Sequence, residues 1–172
     1  PQARRLGALR RAQGFAPARV RSSPLIRAWK TAAILGEALG QTVRVEPVLT
    51  ELDLGEYEGR LEVEIRAADG AGYDKWREGG YLQPAPGGEG IKDVADRVKD
   101  FVDSLDDTSG DILLVGHQGV NMAIKAQLSD CFTRDCLASF RQDNDEIDLW
   151  RLNPASALHR LRADSDDTPT SV

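Results

Sequence analysis

DILLVGHQGVN, residues 111–121, opens on an aspartate, runs through Ile112, Leu113, Leu114 and Val115, and turns at Gly116. A short unbroken apolar run of this kind predicts a strand buried on both faces of a parallel sheet. Residues 120–128 follow with helical spacing, so His117 stands where a central strand ends and a helix begins. Open α/β sheets bind ligands at that place, and the helix start offers backbone N–H groups to an anion. A turn histidine is also satisfied by neighbouring backbone. A second turn of the same construction upstream favours the ligand reading.

That second turn is ARVRSSP, residues 18–24, followed by LIRAWKTAAILGEALG. Val20 and its neighbours predict a short strand, with Ser23 as N-cap and Pro24 as the first helical residue. Leu25, Trp29, Ala32, Ala33, Gly36 and Leu39 share one helical face, and Gly40 closes the helix. Arg27 lies in the first turn, where a cation opposes the helix dipole, and no acid accompanies it. It is either a solvated arginine or the ligand of an anion held at that helix end. TVRV, residues 42–45, predicts another strand, so the order strand, helix, strand points to a parallel sheet.

Around these turns the chain reads as follows. Residues 1–14 predict an amphipathic helix. LTELDLGEYEGR, residues 49–60, is an acidic loop with Glu51, Asp53, Glu56 and Glu58, and its interleaved Leu52, Leu54 and Tyr57 predict that it folds back onto the body. Residues 61–68 predict a short helix, and residues 69–90 a Gly/Pro-rich excursion carrying Trp76 and Tyr81. Ile91–Leu105 is amphipathic, a polar turn spans 106–110, and 133–140 predict a further short helix. Glu146–Leu152 and residues 157–162 predict a hairpin around Asn153 and Pro154, with His159 structural on its second strand. A polar, disordered tail is expected over 163–172, after a single domain over 1–162.

Composition narrows the functional classes. Lys and Arg number 22 against 28 Asp and Glu, a net charge of −6 that argues against a nucleic-acid or membrane surface. No run reaches membrane-spanning length, so a soluble cytoplasmic protein is the default. The two cysteines, Cys131 and Cys136, predict neither a disulfide framework nor a zinc site.

Four motifs in order then carry a resemblance over residues 2 to about 162. RSSPLIRAWKTA, ELDLGEYEG, PGGEG and VGHQGV resemble signature segments of the histidine phosphatase (phosphoglycerate mutase-like) superfamily, and QARRLG resembles the end of that family's first helix. The resemblance implies a three-layer α/β/α fold with a mostly parallel central sheet. It implies Arg27 as a phosphate-binding arginine, His117 as the second histidine of the phosphate pocket, and Glu51 as the acid serving the leaving oxygen. The backbone N–H of Gln118 would add a further phosphate contact. No metal or cofactor is implied; the implied partner is a small phosphorylated substrate, with a homodimer left open.

One family motif is missing. The nucleophile is a histidine in an R-H-G segment ending the first strand, and this chain holds only His117 and His159. The expectation is that the nucleophile lies upstream of Pro1, and that loss of a central strand leaves two strand edges unpaired. Phosphomonoester hydrolysis through a phosphohistidine is the implied activity. The alternatives are phosphoglycerate-mutase-type transfer and a non-catalytic protein that binds a phospho-ligand or partner.

Overall fold

The computed structural model describes residues 2–105 and 110–162, so the expected tail and most of the turn at 106–110 fall outside the described residues. It is a mixed α/β structure. In chain order the elements are α1 (Gln2–Ala12), β1 (Arg19–Ser22), α2 (Ile26–Leu39), β2 (Val43–Val45), α3 (Glu62–Gly79), α4 (Ile91–Leu105), β3 (Ile112–Val115), α5 (Gln118–Leu128), α6 (Arg134–Ser139), β4 (Glu146–Leu152) and β5 (Ala155–Arg162). Contacts group the chain into two compact units. Of the described residues, one comprises 2–50, 100–105, 110–117 and 142–162, and the other 51–99 and 118–141.

The first unit holds a parallel sheet in the order β2–β1–β3. Val20 pairs with Val43 on one side and Leu113 on the other. Sequence reading placed β3 centrally and buried on both faces. Here it is the outer strand, and only Leu113 is fully buried. Nor are two edges left open where the first family strand was expected, because β1 and β3 pair directly from Arg19/Ile112 to Ser22/Val115. Each satisfies the ladder groups that the other would otherwise expose.

Leu6, Val20, Ala32, Leu35, Leu113, Ile147 and Leu161 form the core of this unit, drawing on α1, α2, the sheet and the β4–β5 hairpin. Close approach of α1 to α2 depends on small residues, since a Cβ on Gly7 would stand 2.8 Å from that of Ala38. The buried residues of α2 are Ala28, Ala32, Leu35 and Gly36. The predicted face is therefore rotated, and Trp29 is 41% exposed. Arg10 is fully buried and donates to Gln13 and to the carbonyl of Arg162, tying α1 to β5. The hairpin forms as expected, with a cis Asn153–Pro154 peptide bond and His159 exposed.

In the second unit the acidic loop does fold back: Tyr57 is buried with Ile65, Tyr73 and Ala85. Its ring meets those of Trp76 and Tyr73 edge-on at centroid distances of 5.2 and 5.7 Å. The predicted excursion from 69 is instead helical up to Gly79, with one non-helical residue at Asp69. There the Asp69 carboxylate accepts the Gly72 N–H at 2.8 Å and restarts the helix. Tyr73 and Trp76 thus serve the core. The cysteines also depart from expectation, being joined in a disulfide with Cα atoms 6.1 Å apart. One continuous helix would turn residues five apart away from each other, but α5 ends at Leu128 and α6 restarts behind the Thr133 cap.

Glu89 fastens the acidic loop to the PGGEG turn. Its carboxylate takes the Asp53 N–H at 3.0 Å and a two-bonded grip from Arg97 at 2.9 and 3.0 Å, while its own N–H donates to the Asp53 carbonyl at 2.8 Å. The backbones are close enough that a Cβ on Gly88 would collide with the Asp53 carbonyl oxygen and stand 2.9 Å from the Gly55 nitrogen. Gly88→Ala should accordingly lower unfolding free energy by about 1–3 kcal/mol, the scale of overpacking. Chemical denaturation measures it, and a variant as stable as the parent would show that the two loops are not clamped.

Candidate functional site

Parallel pairing of β1 and β3 puts Ser22 opposite Val115, so both strands deliver their next residues at neighbouring carboxyl ends. From β1 the chain continues into Ser23, Pro24, Leu25 and the first turn of α2, which contains Arg27. From β3 it continues into Gly116 and His117.

Ser23 is not the N-cap. Its N–H donates to the Val115 carbonyl at 3.0 Å, extending the β1–β3 ladder by one residue. The helix therefore starts later, with Leu25 as N-cap and no side chain capping it. Arg27 is exposed in the first turn of α2, which holds no acid. Its guanidinium pairs with no carboxylate among the described residues, whereas Arg21 on β1 is taken by Glu46 at 3.0 Å. His117 is buried, and its Nε2 lies 2.8 Å from Ser23 Oγ. Sequence reading missed this partnership because Ser-Pro ahead of a helical pattern reads as a cap.

The other two expected site residues lie in the second unit. Among the loop acids Asp53, Glu56 and Glu58 are exposed, and Glu51 is half-buried. Glu51 Oε1 accepts the Leu52 N–H at 2.8 Å and the Val120 N–H at 3.2 Å, and Oε2 accepts the Gly119 N–H at 3.3 Å. Hence two of the helix-start N–H groups expected to face an external anion are held by Glu51. Gly119 is required for this contact, because a Cβ there would stand 2.6 Å from Glu51 Oε1 and 2.9 Å from Leu52 Cβ. Gln118 is the first residue of α5 and is partly buried.

Chemically, the first unit offers an unpaired guanidinium and a buried imidazole on adjoining turns. The second offers a carboxylate fixed by backbone donors. No helix of the described residues is long and apolar enough to cross a membrane.

Comparison with known proteins gives this arrangement a setting. The family model described as histidine phosphatase superfamily (branch 1) matches residues 1–158. Glucosyl-3-phosphoglycerate phosphatase of Mycobacterium tuberculosis is 35% identical over 122 residues, covering 65% of this chain and 54% of that protein. The chain thus spans about half the length of the curated relatives it matches first. Among solved structures, a mycobacterial glucosyl-3-phosphoglycerate phosphatase in complex with inorganic phosphate superposes with a TM-score of 0.71 at 30% identity, covering 80% of this chain and 70% of that one. The alpha-ribazole phosphatase of Shigella flexneri gives 0.75 at 25% identity, over 91% and 78%.

Proposed function

The chain belongs to the histidine phosphatase superfamily, and from that premise we propose that it is the phosphate-holding part of a phosphomonoesterase acting on a small phosphorylated substrate. The observation that supports this most is the register of β1 with β3, which starts the Arg27 and His117 turns from neighbouring strand ends. Relatives named as phosphatases support the reaction class.

In the proposed reaction, Arg27 spreads its positive charge over the oxygens of the transferring phosphoryl group, a planar fork matched to them. His117 donates a hydrogen bond to the same group, and Gln118, next in the chain, adds its backbone N–H. In this reading the attacking histidine is supplied from outside these 172 residues, because neither His117 nor His159 stands in an R-H-G segment. Its nitrogen forms the N–P bond as the ester P–O bond breaks, and Glu51 gives its proton to the departing oxygen. Water then attacks phosphorus and passes a proton back to the Glu51 carboxylate as the N–P bond breaks and inorganic phosphate leaves.

Titration of the chain with inorganic phosphate, followed by calorimetry, tests the binding half. Arg27→Ala should weaken binding about 10–100-fold, the loss expected for charge-assisted hydrogen bonds. Arg27→Lys should recover only part of it, because an ammonium cannot reproduce the two-pronged contact. Unchanged affinity in Arg27→Ala would remove Arg27 from the site and leave the proposal without its cation.

A further inference from the structure

We propose that Glu89, in the PGGEG turn that the reaction above does not use, is the positioning residue of Glu51. Its carboxylate fixes the peptide next to the one on which the Glu51 carboxylate rests. The placement stands on geometry, while its value for the leaving oxygen rests on the role of Glu51 proposed above.

Consecutive amides of the acidic loop are divided between the two acids. Leu52 N–H donates to Glu51 Oε1 at 2.8 Å, and Asp53 N–H, one residue on, donates to Glu89 Oε2 at 3.0 Å. The Asp53 carbonyl accepts the Glu89 N–H at 2.8 Å, so Glu89 holds both backbone polar groups of Asp53. Further along, the Asp53 carboxylate accepts the Gly55 N–H at 2.8 Å, and Glu56 N–H donates to the Pro86 carbonyl at 2.9 Å. Only Leu52, whose side chain is buried, stands between Glu51 and Asp53. The two amides therefore belong to rigid planes hinged at one α-carbon, and turning the second reorients the first. Because Leu52 N–H is the shortest contact of the Glu51 carboxylate, that carboxylate moves with it.

Glu89 is itself made rigid by Arg97. The guanidinium Nε donates to Oε1 at 2.9 Å and a terminal nitrogen donates to Oε2 at 3.0 Å. A two-pronged ion pair fixes the plane of a carboxylate as well as its charge. Arg97 thus orients Glu89, and Glu89 orients the Asp53 peptide. That peptide sets the Glu51 carboxylate against the Val120 and Gly119 N–H groups at 3.2 and 3.3 Å.

Hydrogen exchange on the chain itself tests this. Gly119 and Val120 lie in the first turn of α5, where N–H groups have no acceptor within the helix, so their protection reports on Glu51. Rates are read relative to amides inside α2, which cancels any change in global stability. Glu51→Ala gives the rate without the carboxylate. Glu89→Asp keeps the charge but withdraws the oxygens from Asp53, and it should speed both amides about 3–10-fold. Glu89→Gln loses the charge but can keep an oxygen at the Oε2 position, where the Asp53 and Arg97 donors meet, and it should keep the parent rates. Parent rates at Gly119 and Val120 in Glu89→Asp overturn the proposal, even where the Asp53 amide itself speeds up. So do equal accelerations in the two variants, which would assign the effect to the charge of the ion pair. The readout needs no turnover, so a Glu51 that proves to be only a helix cap counts against its proposed role and leaves the placement by Glu89 standing.

Discussion

Preceded by a segment carrying R-H-G at the end of an apolar strand, the chain should hydrolyse phosphomonoesters and accumulate an acid-labile phosphohistidine; residues 1–172 alone should do neither. The expected difference is on the order of 10⁵–10⁶-fold, the scale on which loss of a nucleophile acts in covalent catalysis. Of the two histidines in the sequence, His117 has Nε2 against Ser23 Oγ at 2.8 Å. In the proposed reaction that ring stabilises the phosphoryl oxygens, and the same ring cannot also attack the phosphorus between them. His159 is exposed on β5 opposite Leu149, next to the register shift between Leu149 and Trp150 in the antiparallel hairpin. The matched pair of preparations also has a structural readout. An added strand that enters the middle of the sheet must separate β1 from β3, whose ladder now runs from Arg19/Ile112 to Ser22/Val115. Backbone amides of that ladder should then exchange partners, and hydrogen exchange at the Ser23 N–H, now on the Val115 carbonyl at 3.0 Å, should change with them. Robust hydrolysis by residues 1–172 alone would overturn the nucleophile assignment.

The strand-to-helix turns were legible in the sequence because their signals are local. Ile112 to Val115 is apolar without interruption, Gly116 ends it, and Arg27 in an uncompensated first turn marks itself by the charge it lacks beside it. What could not be read is what stands next to each element. An apolar run has the same spelling in the middle of a sheet and at its end, so β3 was expected in the centre and lies at the edge. Burial on α2 was misjudged for a related reason. Trp29 is the largest apolar side chain of the helix, but the neighbour is α1, and its approach at Gly7 suits Ala32, Leu35 and Ala38. The helical stretch after Asp69 was hidden by Gly70 and Gly72, poor helix formers that a side-chain cap at Asp69 and aromatic packing of Tyr73 override. Site residues followed the same division. Arg27 and His117 stand out by their type and their place at strand-to-helix turns, and Glu51 only through the family resemblance of its loop, while the contact of Ser23 with His117 depends on strand register, which the sequence does not spell.

Glu51→Gln, made in the enzyme completed by the upstream segment, should lower turnover of alkyl phosphates by about 10²–10⁴-fold, the contribution typical of a general acid. Aryl phosphates, whose leaving groups depart without help, should lose much less. The dependence on leaving group separates this role from the alternative that Glu51 merely caps α5. Oε1 is engaged twice, by Leu52 N–H at 2.8 Å and Val120 N–H at 3.2 Å, and behaves as a fixed acceptor. Oε2 has a single long contact, 3.3 Å from the Gly119 nitrogen, and is the oxygen on which a proton displaces least. An amide in place of the carboxyl can direct its oxygen at the two Oε1 donors, so the helix start keeps most of its support while the transferable proton is gone. Losing a cap costs about 0.5–2 kcal/mol of stability, and it makes no distinction between leaving groups. Gly119→Ala offers the complementary perturbation, because its Cβ would stand 2.6 Å from Oε1 and move a carboxyl that is chemically intact. Proton donation by Glu51 requires that both substitutions slow alkyl esters more than aryl ones, one by removing the proton and the other by misplacing it. Equal losses on the two substrate classes, accompanied by a fall in melting temperature, would assign Glu51 to the helix start alone and leave the leaving oxygen to be protonated by water.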